Sequence, residues 1–203
     1  SAEVLAGLPV IAAANPRPGD VPLERLYRAG EARPTATPDQ HAKHLLTSAS
    51  RGLPKAVTCL HRNMATNAAQ IAACFDDPEP PVMVHAAPWS HSLGANAILH
   101  MSAHRGGTLY IDAGQPVAGR FAETIRNLKE VAPTYQNMVP AAWMLFTEAL
   151  EQDEDLARTF FSRVRLLQYG GAALSQAYGD RIQDVAVRTV GGRISFRSGY
   201  GAA

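Results

Sequence analysis

Thr47-Ser48-Ala49-Ser50-Arg51-Gly52-Leu53-Pro54-Lys55-Ala56-Val57 sets three hydroxyl side chains, one glycine and two cations between apolar Leu45-Leu46 and apolar Val57. Small hydroxyl residues and glycine let a backbone turn close against an anion. Backbone N–H groups, hydroxyls and a lysine then coordinate phosphate oxygens. The spacing is not that of a Walker loop, which needs Gly, four residues and then Gly-Lys-Ser/Thr. Only Gly52 is present, and Lys55 lies three residues beyond it.

Around this loop the chain reads as α/β. Short apolar runs at Val10–Ala13, His44–Ser48, Val82–Ala86, Thr108–Ile111, Thr134–Met138, Arg165–Tyr169 and Ile194–Phe196 predict buried strands. Helical patterns lie between most of them. Asn63–Phe75 is alanine-rich, with Ile71 and Phe75 four apart. Phe121, Ile125 and Leu128 form one apolar stripe, Trp143, Phe146 and Leu150 a second, and Tyr178, Ile182, Val185 and Thr189 a third. Ser175 is placed to cap the last helix and Gly191-Gly192 to stop it. Alternating helices with near-continuous apolar strands predict a mostly parallel sheet with flanking helices. Such sheets bind ligands beyond the carboxyl ends of their strands. The loop at 47–55, Gly170-Gly171 and Gly199-Tyr200-Gly201 each follow a predicted strand, so all three are expected on that one edge. Residues 14–40, rich in proline and charge, read as an irregular connector.

The composition narrows the function classes. At 203 residues the chain can bury roughly 70% of its unfolded surface. A net charge of +1 gives no electrostatic case for nucleic acid or an anionic membrane. No apolar run approaches the ~20 residues that span a bilayer, and the N-terminus lacks a signal-peptide pattern. Cys59 and Cys74 show no metal spacing, so reduced thiols in a cytoplasmic protein are the expectation. His100 and His104 are four apart on a helical pattern, but no carboxylate or cysteine accompanies them, so no metal site is expected. The acidic run Glu151–Asp155 reads as a solvated helix end. No Gly-x-Ser-x-Gly elbow occurs, which leaves the α/β-hydrolase a weak third reading.

The loop resembles the phosphate loop of the acyl-adenylate-forming (AMP-binding) superfamily, which includes acyl-CoA synthetases, luciferases and peptide-synthetase adenylation domains. There the loop usually reads Thr-Ser-Gly-Ser/Thr-Thr-Gly-x-Pro-Lys-Gly/Ala-Val, and Thr47, Ser48, Ser50, Gly52, Pro54, Lys55 and Val57 match. The likeness continues in order along the chain. Pro88-Trp89-Ser90-His91-Ser92-Leu93-Gly94-Ala95-Asn96 and Gly106-Gly107-Thr108-Leu109-Tyr110-Ile111-Asp112 resemble members of the feruloyl-CoA synthetase type. So do Ala132-Pro133-Thr134-Tyr135 with Val139-Pro140-Ala141, and Phe160-Phe161-Ser162-Arg163 leading into Gly170-Gly171-Ala172-Ala173-Leu174. Ser198-Gly199-Tyr200-Gly201-Ala202 resembles the start of the family's Tyr-Gly-x-Thr-Glu motif.

The resemblance implies that residues 1–203 are part of the large N-terminal adenylation domain of an ATP-dependent acid–thiol ligase. In such an enzyme a carboxylate attacks the α-phosphorus of ATP to give an acyl-adenylate and pyrophosphate, and coenzyme A then takes the acyl group. By the same resemblance Thr47, Ser48, Ser50, Arg51, Gly52 and Lys55 would clasp the β- and γ-phosphates. Gly170, Gly171, Ala172 and Ala173 would pass against the adenine, with Tyr200 stacked beside it and Gly201 giving it room. Trp89 and His91 would border the acyl site, and an aromatic, feruloyl-like acid would be the substrate. Taken alone, His91 reads as a packed or capping histidine, Trp89 as core and Lys55 as a surface lysine; the ordered string of motifs carries the site reading.

Departures from the pattern matter equally. Ala49 stands where the family has glycine and Arg51 where it has threonine. Alanine at a position needing positive φ costs of order 1 kcal/mol, whereas a guanidinium binds phosphate well. The chain ends before the family glutamate that helps hold Mg²⁺, so this chain alone is expected not to turn over. Faces normally covered by the remainder of the enzyme are expected to favour self-association. The rival reading is a non-catalytic nucleotide- or acyl-binding module with a decayed phosphate loop.

Overall fold

A computed structural model of the chain describes residues 11–12, 18, 21–22, 35–47, 55–75 and 77–201. The chain divides into two units, 1–36 and 37–203. In the first, β1 (Ile11–Ala12) pairs in parallel with β2 (Val21–Pro22). The second strand of that pair falls inside the stretch 14–40 that the sequence presents as an irregular connector.

The second unit starts with an antiparallel hairpin, β3 (His41–Leu46) against β4 (Ala56–Leu60). This corrects one expectation. The strand before the phosphate loop does not belong to the parallel sheet, so its exit does not by itself place the loop on that sheet's edge. The reason is chain length. Parallel neighbours need a crossover of a dozen or more residues, and β3 and β4 are joined by only residues 47–55, which suits an antiparallel hairpin. The hairpin leads directly into α1 (His61–Ala73).

Next come β5 (Val82–His85), a π-helical stretch Leu93–His100 continued by α2 (Met101–His104), and β6 (Thr108–Ile111), which pairs in parallel with β5. Then follow α3 (Ala122–Glu130), β7 (Tyr135–Met138), α4 (Pro140–Gln152), α5 (Glu154–Phe161), β8 (Leu166–Gly170), α6 (Gln176–Val190) and β9 (Ser195–Gly199). Strands β7, β8 and β9 form a parallel ladder in that order. Pro140 starts α4, where its missing N–H is harmless. Asp153 separates α4 from α5: its carboxylate accepts the Leu156 N–H at 2.9 Å and caps α5. Gly191, at φ +76°, ends α6 in the left-handed region.

β5 and β7 lie side by side without a regular backbone ladder. Thr134 N–H donates to Val82 O at 2.9 Å, and Val82 N–H donates to the Thr134 hydroxyl at 2.9 Å. Two residues on, the Gln136 amide donates to Val84 O at 2.8 Å. Polar side chains thus join the two parallel groups into the order β6-β5-β7-β8-β9. Helices cover both faces. Leu128, Trp143, Phe146, Leu156, Phe160 and Ile182, from α3 to α6, pack with Val84, Met138 and Leu167 on one face. Ala72, Ile98 and Met101 pack with Met83 and Tyr135 on the other. Trp143 is fully buried and donates its indole N–H to Gln168 O at 2.9 Å, fixing α4 to β8. The fold is doubly wound α/β. From β5 the chain winds first to β6 on one side and then back to β7 on the other, so the winding reverses between β5 and β7.

Candidate functional site

At the point of reversal, the carboxyl ends of β5, β6 and β7 open into a cavity of about 250 Å³. Open sheets of this kind bind ligands in that crevice. His85, Asp112, Gln136, Asn137 and His91 contribute its polar lining; Phe121, Met138, Val139 and Leu93 contribute apolar surface. His91 reaches it because the π-helical stretch begins hard against the preceding turn. A Cβ on Gly94 would fall 2.5 Å from Pro88 O and 2.7 Å from Ala87 O, so only glycine fits there. His91 Nδ1 accepts the Leu93 N–H at 3.1 Å, which orients the ring. Trp89 is 43% exposed and is not part of the cavity lining.

The neighbouring strand exits form a second element on the same edge. Gly170 and Gly199 are register partners at the ends of β8 and β9. A Cβ on Gly170 would stand 2.9 Å from Gly199 O, so the strands close to a distance a larger residue forbids. Gly171 follows at φ +84°. Gly171, Ala172 and Ala173 are exposed, as is Gly201, and Tyr200 is fully exposed. The result is an open shelf of bare backbone with one aromatic ring beside it.

Of the predicted phosphate loop, Thr47 and Lys55 close the base of the β3–β4 hairpin. Thr47 N–H donates to Lys55 O at 2.9 Å, and Lys55 N–H donates to the Thr47 hydroxyl at 3.2 Å. Ser48, Ser50, Arg51 and Gly52 lie outside the described residues. Among the described residues no group of three or more metal-binding side chains occurs, and no helix is long and apolar enough to cross a membrane.

The structure adds polar residues that the sequence reading passed over. Asp112 is buried and accepts three hydrogen bonds: from Gly114 N–H at 2.9 Å, from the Thr124 hydroxyl and from Asn127 Nδ2 at 3.0 Å. His85 accepts the Ala87 N–H on Nδ1 at 2.9 Å, and its Nε2 has no partner. Burial lowers its pKa to about 4, opposed by the Asp112 carboxylate, so the ring is neutral at neutral pH. Gln136 Oε1 and Asn137 Oδ1 are also buried without partners. The signal for the last two was visible: Tyr135-Gln136-Asn137 is a polar run inside a strand whose four residues are all buried.

The fold matches solved structures. A malonyl-CoA ligase, solved as a ternary product complex with methylmalonyl-CoA and AMP, is 27% identical, with a TM-score of 0.73 over 98% of this chain and 43% of its own. An anthranilate CoA ligase, AuaEII, in complex with anthranoyl-AMP, is 16% identical, with a TM-score of 0.71 over 95% of this chain and 36% of its own. ATP-bound MatB from Rhodopseudomonas palustris is 20% identical, with a TM-score of 0.62 over 84% of this chain and 31% of its own. The last two likenesses show the fold alone. The chain spans less than half the length of each. Among curated proteins nothing matches. A family model described as AMP-binding enzyme matches residues 4–203, and the chain belongs to that family.

Proposed function

We propose that this chain is the nucleotide- and acid-holding part of an ATP-dependent acid–thiol ligase, which makes an acyl-adenylate and then an acyl-CoA. The observation that carries this reading is the Gly170–Gly199 approach, with Tyr200 exposed beside it, on the same sheet edge as the cavity at the winding reversal. A purine is flat and needs backbone that a side chain does not obstruct. The shelf at Gly170, Gly171, Ala172 and Ala173 meets that need, and the Tyr200 ring offers a stacking surface. Gly201 leaves room for it.

The chemistry at phosphorus requires positioning and charge neutralisation more than a nucleophilic side chain. Thr47, Ser48, Ser50, Arg51, Gly52 and Lys55 would hold the β- and γ-phosphates of ATP, with Mg²⁺ as its counter-ion. His91 would border the carboxylic acid in the cavity, and Trp89 would flank its mouth. Coenzyme A would be the acceptor, an aromatic, feruloyl-like acid the substrate, and the cytoplasm the compartment. The remainder of the enzyme would cover surfaces such as Tyr110 and Ile111 on edge strand β6, which are 46% and 72% exposed. Without that cover the chain would self-associate, and light scattering across a concentration series would detect it.

Ala49 and Arg51 favour a second reading, a binding module that no longer adenylates. ATP–pyrophosphate exchange separates the two in a full-length protein carrying these residues. Exchange by the unaltered protein supports the ligase. Nucleotide binding without exchange, with exchange restored by Ala49→Gly plus Arg51→Thr, supports the module. For the shelf itself, Gly170→Ala should weaken AMP binding at least about tenfold, because the new methyl group forces β8 away from β9; unchanged affinity would refute it.

A further inference from the structure

We propose that Gln168 is a positioning residue that ties the exit of β9, and with it the Gly199–Tyr200 side of the glycine shelf, to Asn137 in the cavity, so that a nucleotide on the shelf is felt at Asn137. This rests on reading the shelf as the adenine site. The register brings the residues together. Asn137, Gln168 and Arg197 are level on β7, β8 and β9. Gly170 and Gly199 are register partners two residues further along, on the same face of the sheet. Gln168 therefore sits between Asn137, which lines the cavity, and the two glycines of the shelf.

Hydrogen bonds fix which way the Gln168 amide points. Asn137 Nδ2 donates to Gln168 Oε1 at 3.1 Å and to the Tyr135 hydroxyl at 3.1 Å, and Tyr135 donates its own hydroxyl to the same Oε1. Burial pushes the Tyr135 pKa up, so the phenol stays neutral and keeps its proton for this bond. Two donors on Oε1 turn Nε2 the other way, toward β9. There it stands against Gly199: a Cβ on Gly199 would fall 2.6 Å from Nε2 and 3.4 Å from Cδ. The next obstacle, Tyr169 O, would be 3.7 Å away, an ordinary contact. The Gln168 side chain, rather than the backbone around it, therefore demands glycine at 199.

The main chain of Gln168 is held separately, because its carbonyl accepts the Trp143 indole N–H at 2.9 Å. A shift at Gly199 thus passes to Asn137 through the side chain. The residue type suits the task. Glutamine offers an acceptor to two donors at one end of its amide and a flat edge to a glycine at the other. Asparagine keeps the amide and is one methylene too short to serve both.

Titration of the whole chain with AMP, followed by nuclear magnetic resonance, tests this. AMP should move the backbone signals of Gly170, Gly199 and Tyr200 and also the side-chain amide signals of Gln168 and Asn137. In Gln168→Asn the shelf signals should still move and the Asn137 response should vanish. A glutamine that only stabilises the sheet would leave Asn137 unmoved by AMP in the unaltered chain. Should Gln168→Asn misfold, a compensating pair serves instead. Gly199→Ala should weaken AMP binding about tenfold, and adding Gln168→Ala, which clears the methyl group, should bring affinity back to within about threefold of the unaltered chain. Shelf shifts without a response at Asn137, a response that persists in Gln168→Asn, or a double variant no better than Gly199→Ala overturns the role of Gln168 and spares the shelf. Failure of AMP to move any shelf signal overturns both.

Discussion

The two ends of the parallel strands are opposite in how their polar groups are used. At the amino end, Arg105, Arg165 and Arg197 converge on the connection between α1 and β5. Arg105 donates to the carbonyls of Ala72, Asp77 and Glu79. Arg165 pairs with Asp77 at 2.6 Å and Glu79 at 3.2 Å, and Arg197 donates to Cys74 O at 2.8 Å. At the carboxyl end, His85 Nε2, Gln136 Oε1 and Asn137 Oδ1 are held in place but unpaired. The amino-end cavity is the larger, at about 340 Å³. The larger cavity is thus the one lined by the paired arginines, and the unpaired groups belong to residues lining the smaller one. One end of the sheet uses its polar groups in ion pairs and carbonyl caps; the other leaves these three unpaired.

Acid should produce the largest effect. The folded chain holds His85 with a pKa of about 4, below the 6.5 of an exposed imidazole. Protonation therefore favours the unfolded chain. The contribution of this group is fully present above pH 6.5, declines as pH falls from there to about 4, and is constant below that. The loss should be about 3 kcal/mol, read from urea unfolding at pH 7 and pH 4. His85→Phe should remove most of the His85 part of this slope; an unchanged slope in the variant would contradict a buried neutral imidazole. At the other end, Arg105→Ala should cost about 2 kcal/mol, because it removes a charged donor from several carbonyls at once. Its acid affinity should stay unchanged, since the residue lies at the opposite edge.

Much of the frame was readable from local pattern. Val82–His85 and Thr108–Ile111 match short apolar runs or sit within them, Tyr135–Met138 is an expected strand despite its polar Gln136 and Asn137, and α3, α4 and α6 match the apolar stripes. What escaped has physical reasons. Helix α5 hides behind the acids of Glu151–Asp155, which suggest solvent. Asp153 is in fact a cap between two helices, and Leu156 and Phe160 behind it are fully buried. The pairing of β3 with β4 lies outside the expected strands, because Ala56–Leu60 is a short run whose partner local pattern does not identify. The glycine exits were legible because steric demand is local. The adjacency of β5 and β7, made by Thr134 on Val82 and Gln136 on Val84, was not, because residue pattern does not encode which strands lie side by side.

Substitution at the unpaired end should matter little to stability at neutral pH. His85→Phe removes a donor that has no partner and loses one accepted hydrogen bond from Ala87, so unfolding should change by no more than about 1 kcal/mol. A loss as large as that of Arg105→Ala would erase the contrast between the two ends and mark His85 as part of the scaffold.

Arg165→Gln sharpens the contrast from within the amino end and carries the smallest expected effect. Its partners are carboxylates rather than carbonyls, and its side chain is 44% exposed. Solvent screens such a pair, so despite two ionic contacts the variant should lose about 0.5 kcal/mol or less, well below Arg105→Ala. Salt is the control. Raising ionic strength should shrink the Arg165 effect and leave the Arg105 effect in place, because carbonyls near the end of α1 carry no charge to screen. Equal losses at the two arginines would mean that charge, rather than carbonyl capping, secures this end of the sheet.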